Sequence, residues 1–220
     1  MVKIERTPTP PPSLAIESQK TMGSYHEADV TELLKRDFHD KCYICELKNL
    51  TDVQVEHLRP HHGRTIKERV FDWNNLFYSC PHCNSMKNAS KYDGRILDCC
   101  VVDPEQYLAQ IFSEGEVTVL PLDENADETV RMTADLIQSC FAKDSTGLRT
   151  IACKQRMTQL AKTMNLLYDA LLQYKRDSTS LKALGTLRFM LKRESKFAGF
   201  TRCYIRTHLA DYPELERYLA

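Results

Sequence analysis

The sequence predicts an α+β protein, in which a small strand–strand–helix module precedes a mostly helical C-terminal domain. The module is indicated by two Cys-x-x-Cys pairs that enclose a segment with strand-like alternation of apolar and polar residues. The helical domain is indicated by apolar residues that recur at three-to-four spacing from about residue 126 onward. A chain of 220 residues is long enough for a small metal-stabilised module and a helical domain.

Residues 1–23 are predicted to form a proline-rich, flexible tail. Pro8, Pro10, Pro11 and Pro12 stand among threonine and serine residues. Proline has no backbone N–H and restricts the residue before it, and a polar, proline-rich segment gains little from burial. We therefore expect this segment to form neither a helix nor part of the core.

Residues 24–100 contain the elements of the predicted module in order. Apolar positions at helical spacing predict an amphipathic helix over 28–38, which leads to the first cysteine pair. Alternation predicts a first strand over 53–58 and an aromatic-rich second strand over 71–79. A short helix over 83–92 follows. The expected order is helix, strand, loop, strand, helix.

Residues 101–220 are predicted to form an acidic connector with a hairpin, followed by helices. Two apolar stretches separated by Ser-Glu-Gly-Glu predict the hairpin at about 111–120. Apolar periodicity, interrupted by glycine, proline and an Asp-Ser turn, predicts the helices that follow. These helices span 127–142, 146–175, 179–195 and 201–219. We expect this part of the chain to dock a partner or a substrate.

Charge is distributed unevenly, although the formal net charge is zero. Residues 101–145 contain 2 basic and 10 acidic side chains, a balance of −8, whereas residues 146–220 contain 14 basic and 6 acidic side chains, a balance of +8. A neutral total argues against indiscriminate nucleic-acid binding, but segregated charge can present a basic face to phosphates or to an acidic partner. The nine basic residues between Lys175 and Arg206 fit either such a face or an ordinary solvated helix surface.

The chain contains nine cysteines, and their arrangement bears on the compartment. There is no N-terminal apolar segment of the secretory kind and no apolar run long enough to span a bilayer. With an odd count and two Cys-x-x-Cys pairs, we expect reduced thiols in a cytoplasmic protein that makes no membrane contact. Five cysteines lack a partner at metal-binding spacing and are interpreted as small apolar positions: Cys99, Cys100, Cys140, Cys153 and Cys203.

The paired cysteines Cys42, Cys45, Cys80 and Cys83 predict a structural zinc site. Four thiolates in two Cys-x-x-Cys pairs are a ligand set of tetrahedral structural zinc. The 34 residues between the pairs are too many for a compact zinc ribbon, so the ion is expected to tie the start of an inserted strand pair to its end. Zinc at this position takes no part in chemistry and supplies folding energy to a small module.

The segment between and after the cysteine pairs contains polar residues of another kind. Glu56 and His57 end the first predicted strand, Asn75 precedes the second cysteine pair, and Asn84 and Lys87 follow it at one-turn spacing. A carboxylate, a histidine and two asparagines are the groups that a divalent-metal phosphodiesterase needs for metal binding and for proton transfer from water. A lone histidine after alternating valines is otherwise an ordinary sheet residue.

These motifs, which occupy about residues 40–90, resemble the HNH endonucleases, the zinc-containing branch of the ββα-metal nucleases. The resemblance implies that His57 is the general base and that Asn75 holds it in position. It also implies that Glu56 and Asn84 bind the catalytic metal. Carboxylate and amide oxygens favour Mg²⁺ or Mn²⁺ at that site. Lys87, one helical turn after Asn84, is expected to meet a phosphate of the substrate.

One geometric conflict accompanies this assignment. Adjacent residues of an ideal strand point to opposite faces, so Glu56 and His57 face a common metal only if the strand twists or ends there. Pro60 favours such an ending. His61 and His62 lie in the following loop, where they either touch substrate or remain solvated.

Further stretches resemble a narrower group, the PtuB-like HNH subunits of Septu-type and retron-linked bacterial antiphage systems. The matching stretches are YICE, EHLRP, DWNNLFYSCPHCN, and ILD followed by VDP. This resemblance implies a PtuA-like ATPase subunit as partner. Three interpretations stay open: a DNA endonuclease, which is favoured; an RNase, for example on tRNA, with the same site; and a catalytically silent zinc-binding interaction module.

Overall fold

The structure is a computed structural model that describes residues 1–87, 90–142 and 148–219, without the side chains of residues 148–150. It contains helices and two separate two-stranded antiparallel sheets, which confirms the predicted mixture of helix and strand. The helices are α1 (Pro12–Glu17), α2 (Ala28–Asp37), α3 (Pro81–Lys87), α4 (Glu128–Ser139), α5 (Leu148–Arg176), α6 (Leu181–Met190) and α7 (Ala198–Thr207). The strands are β1 (Gln54–His57), β2 (Leu76–Ser79), β3 (Leu108–Ser113) and β4 (Glu116–Pro121). Over the described ranges, no helix is both long enough and apolar enough to cross a membrane.

The β1–β2 sheet and helix α3 follow one another in the predicted order. The two strands are antiparallel, with Gln54 opposite Ser79 and His57 opposite Leu76. Helix α3 begins directly after β2, with Pro81 in its first turn, where proline leaves no needed N–H unsatisfied. The sheet therefore places the end of β1 beside the start of β2, and α3 continues from the other end of β2.

Strand β2 is shorter than predicted because a capped turn precedes it. The carboxylate of Asp72 accepts a hydrogen bond from the backbone N–H of Asn74 (3.0 Å) and caps a 3₁₀ turn over Trp73–Asn75. The predicted helix over 83–92 also differs, since residues 90–92 form a separate 3₁₀ turn. Residues 88 and 89 of that prediction lie outside the described residues.

Strands β3 and β4 form the predicted hairpin and extend it at both ends. Ser113 pairs with Glu116, so the turn consists of Glu114 and Gly115 alone. Both turn residues have positive φ, at 52° and 76°. Positive φ at both positions of a two-residue turn suits the right-handed twist of the strands, and glycine adopts it without strain.

The C-terminal helices are present, but α6, which ends at Met190 and not at 195, and α7 are both shorter than predicted. Helices α4, α5 and α6 fall within or close to their predicted ranges, although residues 146 and 147 lie outside the described residues. Helix α7 ends at Thr207, and Pro213–Tyr218 form a separate 3₁₀ segment. Pro213 lacks the N–H that a continuing helix needs and disfavours helical geometry in the residue before it.

The N-terminal residues 1–23 contradict the expectation of a flexible tail. Met1 is fully buried, and Pro12 starts helix α1 at the first helical position, which proline tolerates. The guanidinium of Arg6 lies 4.8 Å from the ring centroid of Trp73, which packs beneath it. The apolar and arginine side chains of this segment cover the aromatic core of the module, and this burial outweighs the effect of the prolines.

One hydrophobic core joins the two predicted units. Its buried side chains include Phe38 and Phe77 from the module and Leu171, Phe197 and Leu215 from the C-terminal part. Contiguous apolar burial is the main favourable contribution to folding. The predicted boundary at residue 100 therefore does not separate two hydrophobic cores.

Part of the basic C-terminal segment turns inward onto one buried carboxylate. Glu105 accepts hydrogen bonds from Arg202 (2.8 Å), Arg193 (3.4 Å) and Arg206. Burial alone would raise the pKa of Glu105, but the hydrogen bonds from Arg206 and Arg202 outweigh it and hold that pKa below its ordinary value. These three arginines are engaged within the chain, so the docking face predicted from nine basic residues is smaller than expected.

Glu105→Gln is expected to lower the free energy of unfolding by about 3–5 kcal/mol, because it leaves the buried guanidinium of Arg202 without its counter-charge. Since the folded-state pKa of Glu105 is depressed, its contribution is present above the unfolded-state pKa and is lost as the pH falls through the folded-state value. Urea unfolding at neutral and then at decreasing pH measures the difference, which should shrink only in acid. The control is Arg188→Gln, at an exposed arginine. If Glu105→Gln lowers the free energy of unfolding no more than this control does, Glu105 is not the counter-charge of the arginines.

Candidate metal centre and active-site pocket

Four cysteine side chains from separate segments converge on one point. Cys42 and Cys45 lie between α2 and β1, Cys80 follows β2, and Cys83 lies on α3. Their sulfur atoms all lie within 4.8 Å of one another, and the sulfurs of Cys45 and Cys80 are 4.0 Å apart. Zinc–sulfur bonds of about 2.3 Å in a tetrahedron place sulfur atoms about 3.8 Å apart. The cluster can therefore hold a zinc ion.

The surroundings of these thiols support the same assignment. The four residues are between 0% and 3% exposed. Burial raises the pKa of the Cys42, Cys45 and Cys83 thiols well above the ordinary value, so a thiolate is stable there only beside a cation. Within the described part of the chain, this is the one group of three or more histidine, cysteine or acidic side chains close enough to share an ion.

Cys45→Ser is expected to lower the zinc content below about one ion per chain and to lower the melting temperature, because a serine oxygen does not replace a thiolate ligand. Zinc is measured with a colorimetric chelator after the protein is unfolded, and melting by circular dichroism. The matched control is Cys203→Ser, at another buried cysteine that is not part of the cluster. Equal zinc content in both variants, or the absence of zinc from the wild-type protein, would contradict the assignment of a zinc site to the four clustered cysteines.

His57 ends strand β1, and its imidazole is buried. Its Nε2 lies 3.0 Å from the carbonyl oxygen of Val70. A carbonyl oxygen only accepts hydrogen bonds, so Nε2 carries the proton and Nδ1 carries the lone pair of the neutral ring. Burial lowers the pKa of His57 to about 4, which keeps the imidazole neutral near pH 7. The ring can therefore accept a proton at Nδ1, which is what a general base must do.

Asn75 holds the backbone around His57 and does not touch the ring. Its fully buried amide donates to the carbonyl oxygens of Arg59 (2.9 Å) and Arg69 (3.0 Å), and accepts from the backbone N–H of Arg59 (2.7 Å). These bonds fix both ends of the loop between β1 and the following turn. Val70, whose carbonyl accepts from His57, is the next residue after Arg69. The resemblance implies that Asn75 positions His57, and these contacts allow Asn75 to do so indirectly, through the backbone.

An open pocket of about 350 Å³ lies beside His57. Its walls include Asn84, Tyr25 and the two loop histidines, His61 and His62. The rings of Tyr25 and His61 stand edge-on to the His57 ring, with centroids 4.5 Å away in each case. The fold therefore brings His57 and Asn84, which are 27 positions apart, to one cavity.

Glu56 and Lys87 have partners that differ from those expected. The Glu56 carboxylate is buried, with one oxygen 2.6 Å from the Lys87 ammonium and the other accepting a hydrogen bond from the Tyr43 hydroxyl. Lys87 also donates to the carbonyl oxygen of His57 (2.9 Å) and is only 4% exposed. This burial leaves little of the Lys87 side chain accessible for the expected contact with a substrate phosphate, which stays a prediction.

The same contacts bear on the predicted binding of a catalytic metal by Glu56 and Asn84. Burial raises the pKa of Glu56, although the Lys87 ammonium opposes the rise. The oxygen donors of Glu56 and Asn84 are of the type that suits Mg²⁺ or Mn²⁺. Glu56 nevertheless already has a cation beside it, so a divalent ion at this carboxylate would compete with Lys87.

Two tyrosines near Glu56 and His57 were not predicted from the sequence: Tyr25 lines the pocket, and Tyr43 binds Glu56. Tyr43 lies between the cysteines of the first pair, and its hydroxyl fixes Glu56 from the opposite side to Lys87. Because Tyr43 lies inside the first Cys-x-x-Cys motif, its position in the sequence could have indicated that it belongs to the module. Tyr25 precedes helix α2 and packs on His57, and no local pattern marks it, because its contact depends on how the N-terminal segment folds back.

Comparison with known protein families finds no family that matches the chain. A Septu protein PtuB from Bacillus mycoides is 28% identical over 116 residues, an alignment that covers 39% of this chain and 39% of that protein. The chain thus spans about two fifths of the length of the relative it matches. The similarity agrees with the PtuB-like motifs in the sequence and leaves most of both proteins unmatched.

Proposed function

We propose that this protein is a metal-dependent HNH endonuclease that hydrolyses phosphodiester bonds in nucleic acid, with DNA as the favoured substrate. The observation that carries the proposal is the buried, neutral His57, whose Nε2 donates to the Val70 carbonyl and whose Nδ1 keeps its lone pair. The order of two antiparallel strands and a helix around a four-cysteine cluster supports the same class.

In the proposed reaction, His57 takes a proton from the attacking water at Nδ1, the water oxygen bonds to phosphorus, and the bond from phosphorus to the 3′ oxygen breaks. Asn75 keeps the Val70 carbonyl in place and thereby holds the ring in the tautomer that has a lone pair at Nδ1. Mg²⁺ or Mn²⁺, held by Glu56 and Asn84, would stabilise the charge that develops on the phosphate and on the departing oxygen. The cysteine cluster stabilises the module and takes no part in this step.

We infer that this nuclease is the effector of a bacterial antiphage system and acts with a PtuA-like ATPase subunit. The support is the partial similarity to a Septu protein PtuB, together with the motifs that the sequence shares with this group. Zero net charge fits a nuclease whose grip on nucleic acid comes in part from a larger complex.

The direct test is incubation of the purified protein with labelled plasmid DNA and with total tRNA. Each reaction contains Mg²⁺ or Mn²⁺, with and without an ATPase encoded beside the gene. Nicking or cutting of plasmid supports the proposal. Cleavage confined to tRNA changes the substrate class to RNA, and cleavage of neither substrate in any mixture contradicts nuclease activity.

His57→Ala is expected to reduce cleavage by about 10²–10⁴-fold, because it removes proton transfer from the attacking water. Zinc content and melting temperature should stay close to those of wild type, since His57 is not one of the four clustered cysteines. His208→Ala is the control, at a histidine that stacks on Tyr204 away from the pocket. Activity of His57→Ala within a few-fold of wild type would place the base elsewhere, with His61 as the next candidate.

Asn84→Ala and Lys87→Met are expected to change Mn²⁺ binding in opposite directions. Loss of the Asn84 amide removes a ligand and weakens binding, whereas loss of the Lys87 ammonium removes a competing cation from Glu56 and strengthens it. Mn²⁺ binding is followed by electron paramagnetic resonance without nucleic acid. The expected effect of each is about tenfold, as one lost interaction of about 1.4 kcal/mol produces. Weaker binding in both variants would mean that Lys87 supports the site.

A further inference from the structure

An arginine from the helical part of the chain contacts the four-cysteine cluster. Arg156 lies on α5 and is only 4% exposed. Its Nη2 donates to the sulfur of Cys80 at 3.0 Å, and its Nη1 donates to the carbonyl oxygen of Ala152 at 2.8 Å. The contact joins residues 76 positions apart, and no sequence motif of the cluster includes Arg156.

The guanidinium of Arg156 has no other charged partner among the residues that the structure describes. No carboxylate there forms an ion pair with it, and its buried Nε has no hydrogen-bond acceptor. By contrast, the buried guanidinium of Arg202 lies 2.8 Å from the carboxylate of Glu105. A buried cation without a counter-charge is strongly unfavourable. Among the described residues, the cysteine cluster is the group beside Arg156 that can supply the compensating negative charge.

The charge of a zinc-bound cluster supplies this partner. Four thiolates and one Zn²⁺ carry a net charge of −2, and the four cysteines are almost completely removed from solvent. One adjacent guanidinium lowers the magnitude of that charge and gives the Cys80 sulfur a charge-assisted hydrogen bond. Groups that hydrogen-bond to metal ligands in this way influence how tightly the metal is held.

We propose that Arg156 helps the cysteine cluster to hold a zinc ion, because its guanidinium donates a hydrogen bond to the Cys80 thiolate. This role lies outside the proposed nuclease chemistry and stands or falls without it. The contact between Arg156 and Cys80 also connects the two parts of the chain at the zinc centre, because Arg156 belongs to α5 and Cys80 directly precedes α3. Helix α3 carries Asn84, so the arginine supports the helix that lines the pocket beside His57.

The test compares zinc affinity in full-length wild-type protein, Arg156→Met, Arg156→Lys and Lys154→Met. Lys154 is the matched control, because it is a basic residue two positions away on the exposed side of the same helix. Apparent zinc affinity is measured by competition with a chromogenic chelator. Arg156→Met is expected to lose about 10–100-fold in affinity, as other losses of hydrogen-bonding partners of metal ligands do. Arg156→Lys should lose less, since it keeps the charge but not the planar donor geometry.

A zinc affinity for Arg156→Met equal to that of Lys154→Met, even with a lower melting temperature, overturns the proposal and makes Arg156 a packing residue. If Arg156→Met does not fold, Arg156→Lys decides the question in the cobalt-substituted protein. There the sulfur-to-cobalt absorption reports directly on the thiolates. A shifted band with weaker metal binding supports the contact to Cys80, and an unchanged band with unchanged affinity overturns it.

Discussion

The fold depends on the convergence of four cysteine sulfurs that come from segments before β1 and after β2. A two-stranded sheet of four residues per strand is too small to be stable by itself, so the closure of its two ends is the constraint that keeps it in shape. The N-terminal segment and helix α5 then pack on this unit, and the hydrophobic core continues without a break into the C-terminal helices. A short sheet thereby becomes a rigid support for the pocket beside His57.

The chemistry of that pocket rests on backbone contacts as much as on side chains. Asn75 reaches the carbonyl oxygen of Arg69, and the next carbonyl, that of Val70, selects the tautomer of His57. A substitution at Asn75 thus acts on the His57 ring through two peptide units, without a hydrogen bond to it. Glu56, in contrast, is held by side chains, because its carboxylate is already bound by Lys87 and Tyr43. The proposed catalytic metal would therefore compete with this internal ion pair for one carboxylate.

Buried charge recurs among the described residues. Glu105 is paired with three arginines and Glu56 with Lys87, and we propose the cysteine cluster as the partner of Arg156. Such pairs contribute little net stability when complete, but the loss of one member is costly because a bare charge remains in the interior. The basic composition of the C-terminal segment is in part the consequence of this internal pairing, which reduces the surface available to nucleic acid or to a partner.

The sequence by itself determined the cysteine set and the order of the secondary-structure elements from α2 to α7, and its resemblance to the HNH endonucleases made His57 a candidate base. These features are local, since they follow from spacing, alternation and periodicity within short windows. The buried N-terminal segment, the partner of Lys87, the carbonyl that orients His57 and the contact of Arg156 with Cys80 were decided only by the tertiary structure. Each of them joins residues distant in sequence or reverses the preference of a local segment. The physical reason is that burial and charge pairing depend on which surfaces meet in the folded chain, and no short stretch of residues encodes that meeting.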